Sequence, residues 1–177
     1  MPDTDFTVAD AVNAEPPVFV RKVDRQGHWN TETQADIVEN VFPVESDGTV
    51  SIWRIETFDD LQRIAIALNA RRVKTNPKGA SLTENLFLLA IRPNEFGTIT
   101  LDQSDGETDC LHAKERHYDA HIDDPQQLQA LVNSLLSSGR QLGKLTKGKL
   151  KQLVERATAD RCRAVVTEST LCKCESA

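Results

Sequence analysis

The sequence predicts an α+β fold, a single domain in which a short mixed or antiparallel sheet packs against about three main helices. The chain has 177 residues, a length typical of one domain. Strand-like and helix-like patterns are both present, but they do not alternate as regular βαβ units. No internal repeat or low-complexity tract indicates another architecture.

Composition divides the chain into three parts. Residues 1–16 are polar and acidic and end in a Pro-Pro pair; they are predicted to be a flexible leader or an arm that covers a sheet edge. Residues 17–167 form the predicted α+β domain, and residues 168–177 a polar tail. Hydrophobic residues make up 39% of the chain, which is above disordered compositions.

Short β-branched or apolar runs bounded by turn residues predict the strands. The continuous apolar run 86–91 precedes Pro93, which favours extended structure, and a helix from residue 82 is the alternative. A short helix is predicted at 34–39. The other predicted strands are 18–23, 49–55, 98–101 and 162–167.

Three stretches combine helical periodicity with capping signals. The first begins at Thr57, where Thr57 and Asp60 have the form of a capping box. The second runs from Asp124 to Gly139, a residue suited to a left-handed helix stop. The third begins at Thr146. Their apolar stripes comprise Leu61, Ile64, Ala65 and Leu68 in the first, Leu128, Leu131, Val132, Leu135 and Leu136 in the second, and Leu150, Leu153, Val154 and Ala157 in the third.

Neither a membrane span nor a secretory signal is visible in the sequence. No segment approaches the roughly 18 consecutive apolar residues that a span needs, and the acidic N-terminus lacks the basic and apolar regions of a signal peptide. We therefore predict a cytoplasmic protein, bacterial in character, with no membrane partner. In that reducing compartment the four cysteines, Cys110, Cys162, Cys172 and Cys174, are expected to be free thiols or metal ligands.

Charge is distributed unevenly along the chain. The net charge is -6, yet residues 1–60 hold 13 acidic and 4 basic residues, whereas residues 140–163 hold 8 basic and 2 acidic ones. An acidic protein with one basic stretch is a poor general nucleic-acid binder, but it can present a charged face to a partner.

The stretch 109–121 is the one segment with chemically suggestive residues. Cys110 and His112 would share a face if extended, and His117 and His121 would stack one turn apart on a helix; the sequence leaves helix and strand open for 113–121. Both spacings suit Zn²⁺. With no CxxC or HExxH form, however, a solvated polar segment is the favoured interpretation.

Two cysteines near the C-terminus extend the possible metal site. Cys172 and Cys174 could join Cys110 in a thiolate or mixed site that holds the tail against the domain. The favoured prediction is nevertheless that the protein has no cofactor, with zinc as the alternative. Acid–base chemistry by His117 with Asp119 or Asp123 is a further alternative.

The basic stretch is the candidate partner-binding or phosphate-binding region. Its residues surround the third predicted helix, and two helices joined by a short linker have the outline of a helix-turn-helix. No interleaved aromatic residue or base-reading Asn/Gln pair accompanies them. The residues that we assign to this region are Arg140, Lys144, Lys147, Lys149 and Lys151.

These patterns favour a non-enzymatic accessory protein that acts through a charge-complementary interface with a protein partner. The sequence has no nucleotide-binding loop and no nucleophile in a recognisable setting. A small Cys/His metal-dependent hydrolase or nuclease is one alternative. A nucleic-acid-binding module that uses the basic 140–163 region is the other.

Overall fold

The structure, a computed structural model, describes residues 7–30, 33–75, 85–106 and 110–159. Helices and strands are mixed along these ranges. The helices are α1 (Thr7–Ala14), α2 (Gln26–Trp29), α3 (Gln34–Val41), α4 (Phe58–Thr75), α5 (Leu111–Glu115), α6 (Pro125–Ser137) and α7 (Lys147–Ala159). The strands are β1 (Val18–Val23), β2 (Thr49–Ile55), β3 (Leu86–Ile91), β4 (Thr100–Gln103), β5 (His117–His121) and β6 (Gly143–Leu145), and a 3₁₀ turn covers Pro93–Phe96.

The six described strands form one sheet in the order β4-β5-β2-β1-β3-β6. Every neighbouring pair is antiparallel. The α+β prediction is thereby confirmed, and of the two predicted kinds of sheet the antiparallel one is present. The edge strands β4 and β6 lie five strand spacings apart, which is about 24 Å.

Alternate residues of each strand point to opposite faces, and helices cover both faces. The first face carries Val18 and Val20 of β1 and packs against α1, α4, α5 and α7. The second face carries Phe19 and Val23 and packs against α2, α3 and α6. Because both faces are covered, the central strands are apolar on both sides rather than alternating between apolar and polar residues.

The predicted helical stripes account for how the long helices pack. All four stripe residues of α4 are buried, as are Leu150, Leu153 and Ala157 of α7. In α6 the stripe is one residue narrower than predicted, because Leu136 is 42% exposed. Gly139, with φ of 67°, follows the end of α6, as its position in the sequence predicts.

The prediction of about three main helices omits several short ones. Helix α1 lies inside the segment 1–16, to which the sequence analysis assigns no element, and Val12 of α1 is 5% exposed. Of the α1 side chains that the structure describes, Val12 is buried in the core of the first face and Ala11 packs against it. An isolated helix of eight residues is marginal in water, so tertiary packing stabilises α1.

Strand predictions are correct for the three central strands and less so at the edges. Strand β4 covers Thr100–Gln103 instead of 98–101. β6, with three residues, has no apolar run that could predict it. The predicted strand 162–167 and the proposed tail 168–177 lie outside the described residues. Among the helices that the structure describes, none is both long and apolar enough to cross a bilayer.

Candidate interaction surfaces

The histidine-rich stretch folds as a short helix followed by a strand. Residues 111–115 form α5, and His117–His121 form β5, between β4 and β2. The metal-site hypothesis needed Cys110 and His112 in an extended segment, with His117 and His121 on a helix. The structure has the opposite order, because His112 lies on a helix and His117 and His121 lie on a strand. On β5, the period of two places His117, Asp119 and His121 on the first face.

His117 is an interior residue. It is 3% exposed, its ring meets that of Trp53 edge-on at a centroid distance of 5.1 Å, and its Nδ1 lies 2.6 Å from Ser104 Oγ. Gly106, with φ of +61°, passes so close that a Cβ there would lie 2.8 Å from the ring. His117 Nδ1 is also 4.0 Å from Asp119 Oδ1. Serine and carboxylate approach the same nitrogen, so they do not form a nucleophile–base–carboxylate relay.

His121 and His112 each face a different carboxylate. His121 Nε2 lies 3.1 Å from Asp102 Oδ2 on β4, at the exposed edge of the sheet. His112 Nε2 lies 2.8 Å from Asp60 Oδ1 at the start of α4.

Asp60 is a buried acid with several hydrogen-bond and ionic partners. Its Oδ2 accepts hydrogen bonds from the backbone N–H groups of Glu56 and Thr57, at 3.0 and 2.9 Å, and Arg116 Nη2 lies 3.4 Å from Oδ1. Burial raises the pKa of this carboxyl. The two backbone donors, then the charge of Arg116 and the bond to His112, outweigh burial and hold the pKa below its ordinary value. This cluster closes the N-terminus of α4.

The predicted metal residues that the structure describes do not form one ligand set. Cys110 is 1% exposed and lies in the core of the first face, while the three histidines form the contacts given above. Among the residues that the structure describes, no group of three or more His, Cys, Asp or Glu side chains is arranged to hold a metal ion. Cys172 and Cys174 fall outside the described residues, so a site that includes them stays a prediction.

Four of the five predicted partner-binding residues are exposed and lie within an eight-residue stretch, and we call this group the lysine surface: Lys144, Lys147, Lys149 and Lys151. Lys144 is the central residue of β6, and the other three lie in the first turns of α7. Asn85 Oδ1 accepts the Lys147 N–H and Thr146 Oγ1 accepts the Lys149 N–H, so the helix start is capped without an acidic residue.

Arg140 does not belong to the lysine surface. Its guanidinium donates to Glu95 Oε1 and to the carbonyl of Ala90, both at 2.6 Å, and the side chains of Arg140 and Glu95 are each 10% exposed. Arg140 therefore joins the end of β3 to the segment after α6. Sequence position alone placed it with the lysines, because burial is not visible from charge.

The helix-turn-helix outline is also wrong. Strand β6 lies between α6 and α7, and the two helices pack on opposite faces of the sheet. Two helices separated by a sheet cannot enter one DNA groove as a unit.

The fold and its surfaces therefore define an antiparallel α+β protein with helices on both faces and an exposed lysine surface at one edge. Comparison of the chain with protein-family models, with curated proteins and with solved structures finds no match.

Proposed function

We propose that this chain is a non-enzymatic interaction protein that binds an acidic segment of a partner protein through the lysine surface. One observation carries the proposal. All four lysines are exposed, and no ion pair joins any of them to an acidic group of the described residues. In a protein of net charge -6, four exposed cations that are close in sequence and have no acidic partner in the described part of the chain are available to external anions.

The position of these lysines strengthens the argument. The N-terminus of a helix carries a partial positive charge, which favours acidic residues and disfavours cations in the first turn. Helix α7 has no acidic residue in its first turn, yet Lys147 and Lys149 lie there. Local stability does not explain this choice of residues, whereas binding of an anionic partner does.

Several features favour an acidic protein segment over a nucleic acid. The chain is acidic overall, and the basic region has neither interleaved aromatic residues for base stacking nor a helix pair shaped for a groove.

Fluorescence anisotropy with a labelled Glu-rich peptide tests the proposal. We expect binding that weakens as salt rises to about 0.15 M, and a two- to fivefold weakening by Lys149→Gln, roughly the value of one exposed ion pair. The matched control is Lys114→Gln on α5, which removes the same charge from another helix and should leave binding unchanged.

Three results would count against the proposal. Equal weakening by both substitutions would indicate general charge attraction, and no binding at low salt would exclude the lysine surface. Tighter binding of a DNA or RNA strand of matched charge than of the peptide would favour the nucleic-acid module instead.

A further inference from the structure

The two edges of the sheet are built differently. Strand β6 has Lys144 at its centre, only three residues, and helix α1 beside it. Strand β4 has the sequence Thr-Leu-Asp-Gln, with no lysine or proline, and no described strand pairs with its outer side. Lysine, proline and extreme shortness are common means of protecting a sheet edge. The β4 edge therefore has less protection against another strand than the β6 edge.

The hydrogen-bond pattern identifies the backbone groups of β4 that point away from β5. The Ser104 N–H donates to the His117 carbonyl at 3.1 Å. In an antiparallel pair such bonded residues alternate, so Asp102 and Thr100 also direct their backbone groups toward β5. Leu101 and Gln103 then direct their N–H and C=O groups outward. On the other side of β5, the bonds Arg54 N–H to Arg116 carbonyl and Ile122 N–H to Gly48 carbonyl fit the same alternation.

Side chains beside this edge differ in character on the two faces. On the first face, the exposed Asp102, whose side chain is 68% accessible, stands opposite Asp119 of β5. No Lys or Arg of the described residues forms an ion pair with either acid; His121 lies 3.1 Å from Asp102 and His117 lies 4.0 Å from Asp119. On the second face, Leu101 is partly buried against the apolar core.

We propose that the β4 edge binds an extended basic segment of a partner protein as an added antiparallel strand. The outward groups of Leu101 and Gln103 offer four backbone hydrogen bonds to that strand. Residues of the partner that point to the first face would meet Asp102 and should be Lys or Arg. Those that point to the second face would lie beside Leu101 and should be apolar, so the recognised pattern alternates basic and apolar residues.

A second copy of the chain is disfavoured in the register that uses both outward residues, with Leu101 of one copy opposite Gln103 of the other. Antiparallel pairing of two β4 strands about Asp102 would bring the two aspartates directly opposite each other, and like charges at such positions destabilise a sheet. Asp102 already stands opposite Asp119 within the sheet, and these two like charges repel each other. A basic side chain on an added strand would offset that repulsion. Charge complementarity therefore selects a basic partner.

The test uses the full chain, labelled for NMR, and a peptide of alternating Lys and Val. We expect binding to slow hydrogen exchange of the Leu101 and Gln103 amides by about tenfold, the factor for one added hydrogen bond of about 1.4 kcal/mol. A peptide of identical sequence, N-methylated at the residues that donate to β4, keeps the charge but lacks the donors. It should leave the exchange of both amides unchanged.

Two substitutions separate the backbone and charge contributions. Gln103→Pro removes an outward donor, which a sheet edge tolerates, and should weaken binding by about two- to tenfold. Asp102→Asn should weaken binding by about two- to fivefold, whereas Glu39→Gln, an exposed neutralisation on α3, should not.

Different results would overturn the proposal. Equal affinity for the methylated peptide, unprotected Leu101 and Gln103 amides, or chemical-shift changes centred away from β4 would each exclude strand addition. Dimerisation of the chain without peptide, with protection of the same amides, would show that a second copy occupies the edge.

Discussion

At the scale of single residues, Asp60 shows how one carboxylate can have two roles. The sequence pairs Thr57 with Asp60 as a capping box, and both predicted bonds are present, from the Asp60 N–H to Thr57 Oγ1 at 3.1 Å and from the Thr57 N–H to Asp60 Oδ2 at 2.9 Å. Two further partners, His112 and Arg116, come from a segment about fifty residues away. They convert a helix cap into a link between α4 and α5.

Asp60→Asn should lower the free energy of unfolding by about 1–3 kcal/mol, because hydrogen bonds to a buried charged group are lost or weakened. Denaturant titration at neutral pH measures this. Asp59→Asn is the matched control, because Asp59 lies in the same first turn of α4, is 58% exposed and forms an ion pair with Arg63 one turn away. Its cost should be about 1 kcal/mol or less, the value of a charge at a helix N-terminus with one exposed ion pair. Equal costs would contradict the central role of Asp60.

Lowering the pH should also reveal the contribution of Asp60 to stability. The pKa of Asp60 is lower in the folded chain than its ordinary 3.8, so its contribution is complete above that value and is lost as the pH falls through the lower folded pKa. Melting temperatures from about pH 5 down to about pH 2 should therefore fall less steeply for Asp60→Asn than for the unsubstituted chain. Parallel curves would show that another acid causes the loss.

At the scale of elements, α7 combines a well-packed apolar stripe with a cationic start. Leu150, Leu153 and Ala157 anchor it to the first face, so the helix forms despite the unfavourable first turn. Packing thus leaves the residues of that turn open to selection for binding rather than for stability.

A substitution in this first turn should therefore change stability and peptide binding in opposite directions. Lys147→Glu should raise the free energy of unfolding by about 0.3–1 kcal/mol, because a negative charge at a helix N-terminus is favourable, and should weaken binding of the Glu-rich peptide. Arg156→Glu, in the last turn, should lower stability by a similar amount. Chemical denaturation measures the stability of each variant, and fluorescence anisotropy measures its binding of the Glu-rich peptide. A Lys147→Glu variant that loses stability would contradict the explanation.

At the scale of the whole molecule, the sheet separates two surfaces of opposite charge. The lysine surface adjoins β6 and Asp102 lies on β4, about 24 Å across the sheet. This distance exceeds the screening length of about 8 Å at physiological salt. One chain could therefore hold an acidic and a basic partner without either weakening the other.

Independence of the two surfaces is measurable. Lys149→Gln should weaken binding of the Glu-rich peptide only, and Asp102→Asn should weaken binding of the Lys/Val peptide only. In the double variant each peptide should lose as much affinity as in the corresponding single variant. Anisotropy titrations of each peptide against all four proteins provide the data. If a substitution at one surface changed the affinity of the peptide bound at the other surface by more than about twofold, the two surfaces would be coupled.

The sequence by itself determined the α+β class, the three central strands, the long helices and the cap of α4, because periodicity and capping are local signals. It also identified the four exposed lysines. Only the tertiary structure decided that Arg140 is internal, that α6 and α7 lie on opposite faces, and that the histidines of 109–121 have separate partners. Each of these depends on residues distant in sequence, as when Glu95 meets Arg140 or Asp60 meets His112, and no local pattern records such a contact.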